Sequence, residues 1–226
     1  MNVKQLRPAS ELARMFGVKS LIYGGPGTGK TPMVKTLPRP VMCVIEPGML
    51  SMRDANTIPA WEANTPERIE EFFTWALTST EAKNFDTIAI DSISQLCEVF
   101  LKQELDRQKH GLKAYGEMAR RVMDLVNALY YTPQKHVYLI GKLHAGEENG
   151  VSMKKPYFPG KDLNIKIPHM YDEILYVGEA NIVGQPKPIM AIRTKPIFGI
   201  VARDRSGKLE ELEPTDVGAI FTKCMS

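Results

Sequence analysis

The sequence predicts one α/β domain over residues 1–226, with a mainly parallel sheet flanked by helices and an antiparallel edge formed late in the chain. In the first two thirds, short β-branched runs alternate with helical patterns, which is typical of parallel strands joined by helices. In the last third, strand-like runs follow one another closely, which favours antiparallel pairing. The chain has 226 residues, of which 43% are hydrophobic, enough for one sizeable core behind an N-terminal extension of residues 1–17.

The first predicted elements surround a glycine-rich segment. The run VKSLIY at 18–23 predicts a buried strand that leads into GGPGTGKT, from Gly24 to Thr31. Apolar spacing after this segment predicts a helix, and Pro32 is tolerated in its first turn because the N–H groups there lack intrahelical partners. The run VMCVIE at 41–46 predicts a second buried strand, which ends in Glu46.

The middle of the chain continues the alternation of helix and strand. A Thr-Pro pair at 65–66 predicts the N-cap and first residue of an amphipathic helix. The run FDTIAID at 85–91 is short and β-branched, which predicts a central strand with Asp91 at its carboxyl end. A helical pattern follows at 114–130, and KHVYLIGKLH at 135–144 predicts the next strand.

The segment 145–168 is rich in glycine, proline and lysine, so we expect a long loop there, and long loops are uncommon unless they are functional. Strand-like runs then resume before a final helix. These runs are EILYVG at 173–178, PIMAIRT at 188–194 and FGIVARD at 198–204, followed by the turn RSGK and a helix from Pro214.

Composition excludes several classes of protein. The formal net charge is only +3, so any contact with nucleic acid would need a local basic patch. Cys43, Cys97 and Cys224 are widely spaced and form no CxxC pair, which argues against a disulfide framework and a structural zinc site. The sequence shows no secretory signal and no apolar run long enough for a bilayer, so we expect a cytoplasmic protein with no membrane partner.

The segment GGPGTGKT matches G-x-x-x-x-G-K-[ST], the P-loop pattern, between a predicted strand and a predicted helix. Glycines let backbone N–H groups turn toward a phosphate, the lysine neutralises its charge, and the last hydroxyl ligates Mg²⁺. The pattern therefore predicts a site for ATP and Mg²⁺; the alternative is a glycine-rich turn with a chance lysine. The predicted nucleotide-binding residues are Gly24, Gly25, Pro26, Gly27, Thr28, Gly29, Lys30 and Thr31.

Two carboxylates are candidates for the chemistry. A P-loop protein needs a second metal-organising acid, normally an Asp at the end of a neighbouring strand, and Asp91 is expected in that position, whereas Asp86 precedes its strand and would lie at the wrong edge. Glu46 ends the strand after the P-loop and is the candidate that orients or deprotonates the attacking water. Two alternatives remain: Glu46 caps a loop at Pro47, and Ser92 is either near the metal's water shell or a plain N-cap.

Five segments together resemble the RecA-like ATPases, and most closely the small phage-encoded ATPases of the Sak type, which act in single-strand annealing. The resemblance covers about residues 18–210 and rests on GGPGTGKT, VIEPG, IAIDSIS, AYGEMARRVMDLVNAL and VARDRSGKL. It implies a RecA-like core, Mg-dependent ATP hydrolysis, single-stranded DNA as partner, a homo-oligomer and a place in the host cytoplasm. The N-terminal extension is too short for the polymerisation domain of cellular recombinases, so annealing, or work with a single-strand-binding protein, fits better than autonomous filament formation.

The resemblance also implies roles for three residues outside the P-loop. Arg203, Arg205 and Gly207 match a K-x-R-x-G arrangement that reaches into a neighbouring subunit's ATP site, with Arg in place of the first Lys. His144 matches a polar residue that senses the γ-phosphate. The alternatives are two solvated arginines beside a hairpin turn and a structural histidine.

Two DNA-contacting loops are implied as well. The first would contain Lys109 and Lys113, and the second would contain Lys154, Lys155 and Lys161, each near aromatic residues that offer stacking faces. Ordinary solvated lysines are the alternative for each position.

Three functions are compatible with the sequence. The leading hypothesis is a RecA-like ATPase that acts on single-stranded DNA in phage recombination, annealing or replication. The alternative is an ATP-dependent switch or assembly protein with a protein partner and no direct DNA role. A small-molecule phosphotransferase comes third, because the arginines lie singly or in pairs and no arginine-rich lid is visible.

Overall fold

A computed structural model describes residues 6–108, 110–182 and 184–226, and these residues contain one sheet and six α-helices. The strands are β1 (Lys19–Gly24), β2 (Pro40–Val44), β3 (Ala60–Glu62), β4 (Thr87–Asp91), β5 (His136–Glu148), β6 (Val151–Tyr157), β7 (Glu173–Ala180), β8 (Ile189–Arg193), β9 (Arg203–Asp204) and β10 (Leu212–Glu213). The helices are α1 (Ala9–Met15), α2 (Pro66–Thr78), α3 (Ile93–Arg107), α4 (Gly111–Tyr130), α5 (Asp162–Met170) and α6 (Val217–Met225).

The sheet has the order β10-β8-β7-β1-β5-β4-β2-β3. The strands from β7 to β3 in this order pair in parallel, while β8, β9 and β10 pair antiparallel at one side and β6 pairs antiparallel with β5. The predicted class, a mainly parallel α/β sheet with an antiparallel edge, is confirmed. Because the parallel strands share one direction, β1, β2 and β4 end at the same edge, which we call the carboxyl edge of the sheet.

Helices cover both faces of the sheet, because successive strand residues point to opposite sides. Leu21 and Tyr23 of β1 face a core formed with α2, α3, α4 and α5. Ile22, between them, faces a second core formed with α6 and the residues just after the P-loop. The central strands are therefore buried on both faces, as their continuous apolar runs predicted.

Three helices begin at side-chain caps that satisfy an otherwise unpaired backbone N–H group. The Thr65 hydroxyl accepts from the Arg68 N–H, with Pro66 as the first residue of α2, as predicted. Ser92 caps α3 through the Gln95 N–H, and Asp216 caps α6 through the Ala219 N–H. Ser92 thus has the N-cap role that was one of its two predicted roles.

The longest described helix, α4, has 20 residues and is amphipathic. Its buried residues Ala114, Met118, Val122 and Val126 recur at helical spacing, and the last three belong to the same core as Leu21 and Tyr23. Among the residues that the structure describes, no helix is both long and apolar enough to cross a membrane.

The helix predicted after the P-loop is much shorter than the apolar pattern indicated. It is a 3₁₀-helix of five residues, Pro32–Thr36, and Leu37 after it is extended, with ψ 148°. Pro38 explains the early end, because a proline disfavours helical backbone at the residue before it.

The prediction of a long loop at 145–168 was wrong. Strand β5 continues to Glu148, a tight turn at Asn149 and Gly150 reverses the chain, β6 returns along β5, and α5 follows. Both turn residues have positive φ, 52° and 77°, and an Asn-Gly pair is the usual sequence for such a hairpin turn. The sequence was interpreted as a loop because Pro156 and two lysines, which are uncommon inside strands, lie within β6.

The strand predicted at 198–204 is reduced to β9, Arg203–Asp204. The residues before it run along β6 instead: the Lys154 N–H donates to the Gly199 carbonyl and the Val201 N–H donates to the Lys154 carbonyl. A Cβ atom at Gly199 would lie 2.1 Å from the Ser152 carbonyl oxygen, so this close approach requires glycine.

Candidate nucleotide site

A cavity of about 660 Å³ lies at the carboxyl edge of the sheet. Cavities that bind small molecules typically measure about 300–1,000 Å³. The P-loop residues form one wall, and the segment after β2, the end of β4 and the middle of β5 form the others. The side chains of Lys30, Thr31, Glu46, Asp91, Ser92 and Lys142 are among its lining.

The P-loop backbone requires glycine at several positions. Gly27 and Gly29 have φ of 76° and 86°, and a Cβ atom at Gly24 would lie 2.5 Å from the Val177 carbonyl oxygen. Lys30 Nζ donates to the carbonyls of Gly24 and Gly25 at 2.9 and 2.7 Å, which places the ammonium over the loop. Burial lowers the pKa of Lys30, whereas the charges of Asp91 and Glu46 raise it.

Asp91 and Thr31 meet directly in the cavity: the Thr31 hydroxyl donates to Asp91 Oδ2 at 2.6 Å. Strand β4, which ends in Asp91, is not next to β1, which leads into the P-loop, because β5 lies between them. The expectation that Asp91 ends a strand neighbouring the P-loop strand was therefore wrong. The Asp91 carboxylate therefore reaches Thr31 across β5. Burial raises the pKa of Asp91, and the hydrogen bond from Thr31 and the charge of Lys30 oppose this rise.

The donor set fits a magnesium ion. Mg²⁺ in phosphate sites is usually held by one or two protein oxygens together with substrate phosphates and water. Thr31 supplies a hydroxyl, Asp91 supplies a buried carboxylate whose charge a cation would compensate, and both line the same cavity. Within the described part of the chain, no group of three or more His, Cys, Asp or Glu side chains could hold a metal without the nucleotide.

Glu46 is held at the mouth of the same cavity by backbone and side-chain contacts. The N–H groups of Ile45 and Glu46 both donate to the Asp91 carbonyl, at 2.7 and 3.2 Å, so the residues after β2 are joined to the end of β4. The Ser92 hydroxyl donates to Glu46 Oε1. The structure thus brings Glu46, Lys30, Thr31 and Asp91 together, as the sequence predicted.

Lys142 is a charged residue of the cavity that sequence reasoning missed. Its Nζ lies 3.6 Å from Glu46 Oε1, and in the sheet it pairs in register with Gly24. The signal was available: in KHVYLIGKLH the lysine is the first charged residue after the apolar stretch VYLIG, where a parallel strand reaches the carboxyl edge.

His144 does not line the cavity. It lies two residues beyond Lys142 on β5, about 7 Å farther along the strand, where it pairs with Lys155 of the hairpin. The structure therefore does not group His144 with the P-loop residues, and its γ-phosphate-sensing role stays a prediction.

Arg203 and Arg205 lie near the opposite edge of the sheet. Strand β9 pairs with β7 at Glu173, and Glu173 is in register with Ser20 at the start of β1, four residues or about 13 Å from Gly24. Their guanidinium groups bind carbonyls at the end of α5: Arg203 Nη2 donates to Pro168 and Tyr171. The described contacts are structural, and action on a neighbouring subunit's ATP stays a prediction.

The predicted DNA-contacting lysines fall into three groups. Lys109 lies outside the described residues. Lys113 and Lys161 are exposed. Lys154 donates to the Tyr176 hydroxyl at 3.3 Å, and Lys155 forms an ion pair with Glu148, so both of these charges have partners within the protein.

Comparison with known proteins adds one decisive observation. A family model described as AAA domain (AAA_24) matches residues 17–206. The chain belongs to this AAA domain family. The prediction of a P-loop ATPase is confirmed at this level, while the closer resemblance to Sak-type annealing ATPases stays a prediction.

This AAA domain was also compared with curated proteins and with solved structures. A search of curated proteins finds no match. Among solved structures, a KaiC-like protein from the hyperthermophilic archaeon Pyrococcus horikoshii OT3 is similar, with a TM-score of 0.46 and 15% sequence identity. The similarity covers 79% of this chain and 78% of that one.

Proposed function

We propose that this AAA domain binds ATP with Mg²⁺ and hydrolyses it to ADP and phosphate, with Glu46 orienting the attacking water. One observation carries the proposal: a phosphate-binding loop, a Thr31–Asp91 pair suited to Mg²⁺ and a carboxylate line one cavity. Membership of the AAA domain family supports the ATPase part.

Each residue would have a separate task. The P-loop N–H groups and Lys30 would bind the β- and γ-phosphates, and Thr31 with Asp91 would hold Mg²⁺, which supplies charge neutralisation when bound. Glu46 would accept a hydrogen bond, and then the proton, from the water that attacks the γ-phosphorus. Glu46 suits this task because it lines the same cavity as Lys30, Thr31 and Asp91.

Replacing Glu46 with Gln tests the proposed water-orienting role. We expect the kcat for ATP hydrolysis to fall by about 100-fold or more, since removal of a general base typically costs about 10²–10⁴-fold. Nucleotide affinity should change little, because Glu46 would contact water and not the phosphates. Hydrolysis would be measured by phosphate release, and affinity by titration with a fluorescent ATP analogue.

Lys30→Ala is the matched comparison, and it should lose nucleotide affinity as well as turnover. Normal turnover in Glu46→Gln would contradict the assignment of Glu46. Normal affinity in Lys30→Ala would contradict the nucleotide site itself.

We further propose that the AAA domain is RecA-like, assembles as a homo-oligomer and acts on single-stranded DNA in phage annealing, recombination or replication. Support comes from the resemblance in sequence and from a small surface around Tyr115. Tyr115 is 42% exposed, Gly160 next to exposed Lys161 lies against its ring, and exposed Lys113 lies two residues before it on α4. An exposed aromatic ring with lysines nearby suits a base and its flanking phosphates.

The double variant Lys113→Glu/Lys161→Glu tests the DNA partner. We expect ATPase activity to be stimulated by single-stranded DNA in the native chain and the stimulation to be lost in the variant, because charge reversal repels phosphate. Lys83→Glu is a control: Lys83 is exposed and precedes β4, at the edge away from the cavity. DNA binding that is absent, or insensitive to salt, in the native chain would favour the alternative, an ATP-dependent switch with a protein partner.

A further inference from the structure

Lys142 occupies the junction between the P-loop strand and the β5–β6 hairpin. On one side it is in register with Gly24, the first glycine of the P-loop, and on the other it is in register with Tyr157, the last residue of β6. No other position of β5 is paired with both strands. Lys142 therefore lies where the nucleotide site meets the hairpin.

The Lys142 side chain is fixed by helix α3. Its Nζ donates to Gln95 Oε1 at 2.8 Å and lies 2.9 Å from Glu98 Oε2, one helical turn farther along α3. Its backbone N–H donates to the Ser94 hydroxyl at 2.9 Å. Two side-chain contacts and one backbone contact to the same helix restrict the ammonium to a narrow region.

From that position the ammonium reaches Glu46. The distance from Nζ to Glu46 Oε1 is 3.6 Å, and the Ser92 hydroxyl donates to the same oxygen. Both contacts made by described residues thus fall on Oε1, which leaves Oε2 to accept a hydrogen bond from water. A carboxylate held by one oxygen presents the other in a defined direction.

We infer that Lys142, held by Gln95 and Glu98 of α3, is a positioning residue that orients the Glu46 carboxylate for ATP hydrolysis. The inference rests on the proposed function, since it assigns a task that exists only if Glu46 acts on water.

Two observations favour positioning over other roles for Lys142. About a third of each side chain in the Lys142–Glu46 pair is exposed, and such partly solvated pairs add little to stability. Lys30 already supplies an ammonium over the P-loop, whereas the Lys142 ammonium is directed to carboxylates. A displacement of a catalytic group by about 1 Å can nevertheless lower the rate of the chemical step by about 10²-fold.

Lys142→Met tests the inference, because methionine keeps the length of the side chain and removes its charge. We expect kcat to fall by roughly 10–100-fold, while the KM for ATP and the Kd for adenylyl imidodiphosphate change less than about 2-fold. Lys142→Arg should recover most of the turnover. Lys142→Met in the Glu46→Gln background should cause no further loss, since residues that act as one unit are not additive.

Lys102→Met is the control, since Lys102 is an exposed lysine of α3 that lies outside the cavity. Unchanged turnover in Lys142→Met would overturn the inference, and so would a loss of analogue affinity as large as the loss of kcat, which would indicate a direct phosphate contact. If Lys142→Met does not fold, Lys142→Gln is judged by the same criteria. Full turnover in Glu46→Gln alone would refute the proposed function of Glu46. This result is distinguishable from the two results for Lys142→Met, because it is measured in a chain that keeps Lys142.

Discussion

At the scale of single residues, the least expected group is a buried carboxyl near the amino end of β7. Glu173 is 1% exposed, its Oε1 accepts from the Ser206 N–H at 3.3 Å, and its Oε2 has no hydrogen-bond partner among the described residues. Burial, with the nearby charge of Asp204, raises the pKa of Glu173 to about 7. The folded state therefore favours the protonated carboxyl.

This shift makes stability depend on pH. The unfolded pKa is near 4.5 and the folded pKa is about 7, so between these values the folded state binds more protons than the unfolded state. The contribution of Glu173 to stability is thus complete below about pH 4.5 and is lost as the pH rises through 7. Glu173→Gln should raise the melting temperature more at pH 8 than at pH 5, measured by thermal unfolding. An equal change at both pH values would contradict the buried acid.

Single residues also differ in how far the sequence alone could assign them. Lys30, Thr31 and Asp91 were predictable because a P-loop and a strand-end acid are local patterns with fixed physical requirements. Lys142 had a local signal for its place at the carboxyl edge but none for its task, because that task depends on the register of β5 against two other strands. The contact of Lys154 with Tyr176 was unpredictable for the same reason, and the contact of Lys154 with DNA stays a prediction.

At the scale of elements, the end of α5 is stabilised by the two arginines of the β9 region. A helix leaves its last carbonyls without intrahelical donors, and cations near that end are favourable. Arg203 binds the carbonyls of Pro168 and Tyr171, while Arg205 binds that of His169 and the Asp172 carboxylate. Together they join α5 to the antiparallel side of the sheet.

Arg203→Met should therefore destabilise the fold. We expect a loss of about 1–3 kcal/mol in the free energy of unfolding, since buried carbonyls would lose their donor. Arg205→Met should cost less, because its side chain is 45% exposed. Denaturant unfolding measures both. A second experiment tests whether Arg205 acts in a neighbouring subunit. In that case Arg205→Ala should lose ATP hydrolysis but keep its stability and nucleotide affinity, and mixing it with Lys30→Ala subunits should restore hydrolysis.

Elements were predictable where one pattern dominated. Strands β1, β2 and β4, and the Thr-Pro start of α2, follow from periodicity and capping. The β5–β6 hairpin was missed because its strongest signal, Asn149–Gly150, lies among other turn-forming residues and lysines. The helix after the P-loop was overestimated because Pro38 outweighs the apolar spacing before it.

At the scale of the whole molecule, the nucleotide cavity joins separate parts of the fold. Its walls come from the P-loop after β1, the segment after β2, the end of β4 and part of β5, and all four strands contribute to both hydrophobic cores. A ligand bound there would contact segments from four separate parts of the chain. Ligand binding and global stability should therefore be coupled.

ATP with Mg²⁺ should raise the melting temperature of the native chain. A ligand at about 100 times its Kd adds about 2.7 kcal/mol, which corresponds to roughly 5–10 °C for a chain of this size. Lys30→Ala should abolish the shift, and Glu46→Gln should retain it. Differential scanning fluorimetry measures the shift, and an equal shift in Lys30→Ala would place the ligand elsewhere.

Strand β5 contains no P-loop residue. It nevertheless sets the distance between Thr31 and Asp91, because it lies between β1, which leads into the P-loop, and β4, which ends in Asp91. Two of its residues also contact the site, since the Tyr138 hydroxyl donates to the Lys30 carbonyl and Lys142 reaches Glu46. Loss or gain of one residue there would turn each of these side chains to the other face. In the evolution of this family, insertions and deletions should accumulate at the turn after Glu148 and be absent from 137–142.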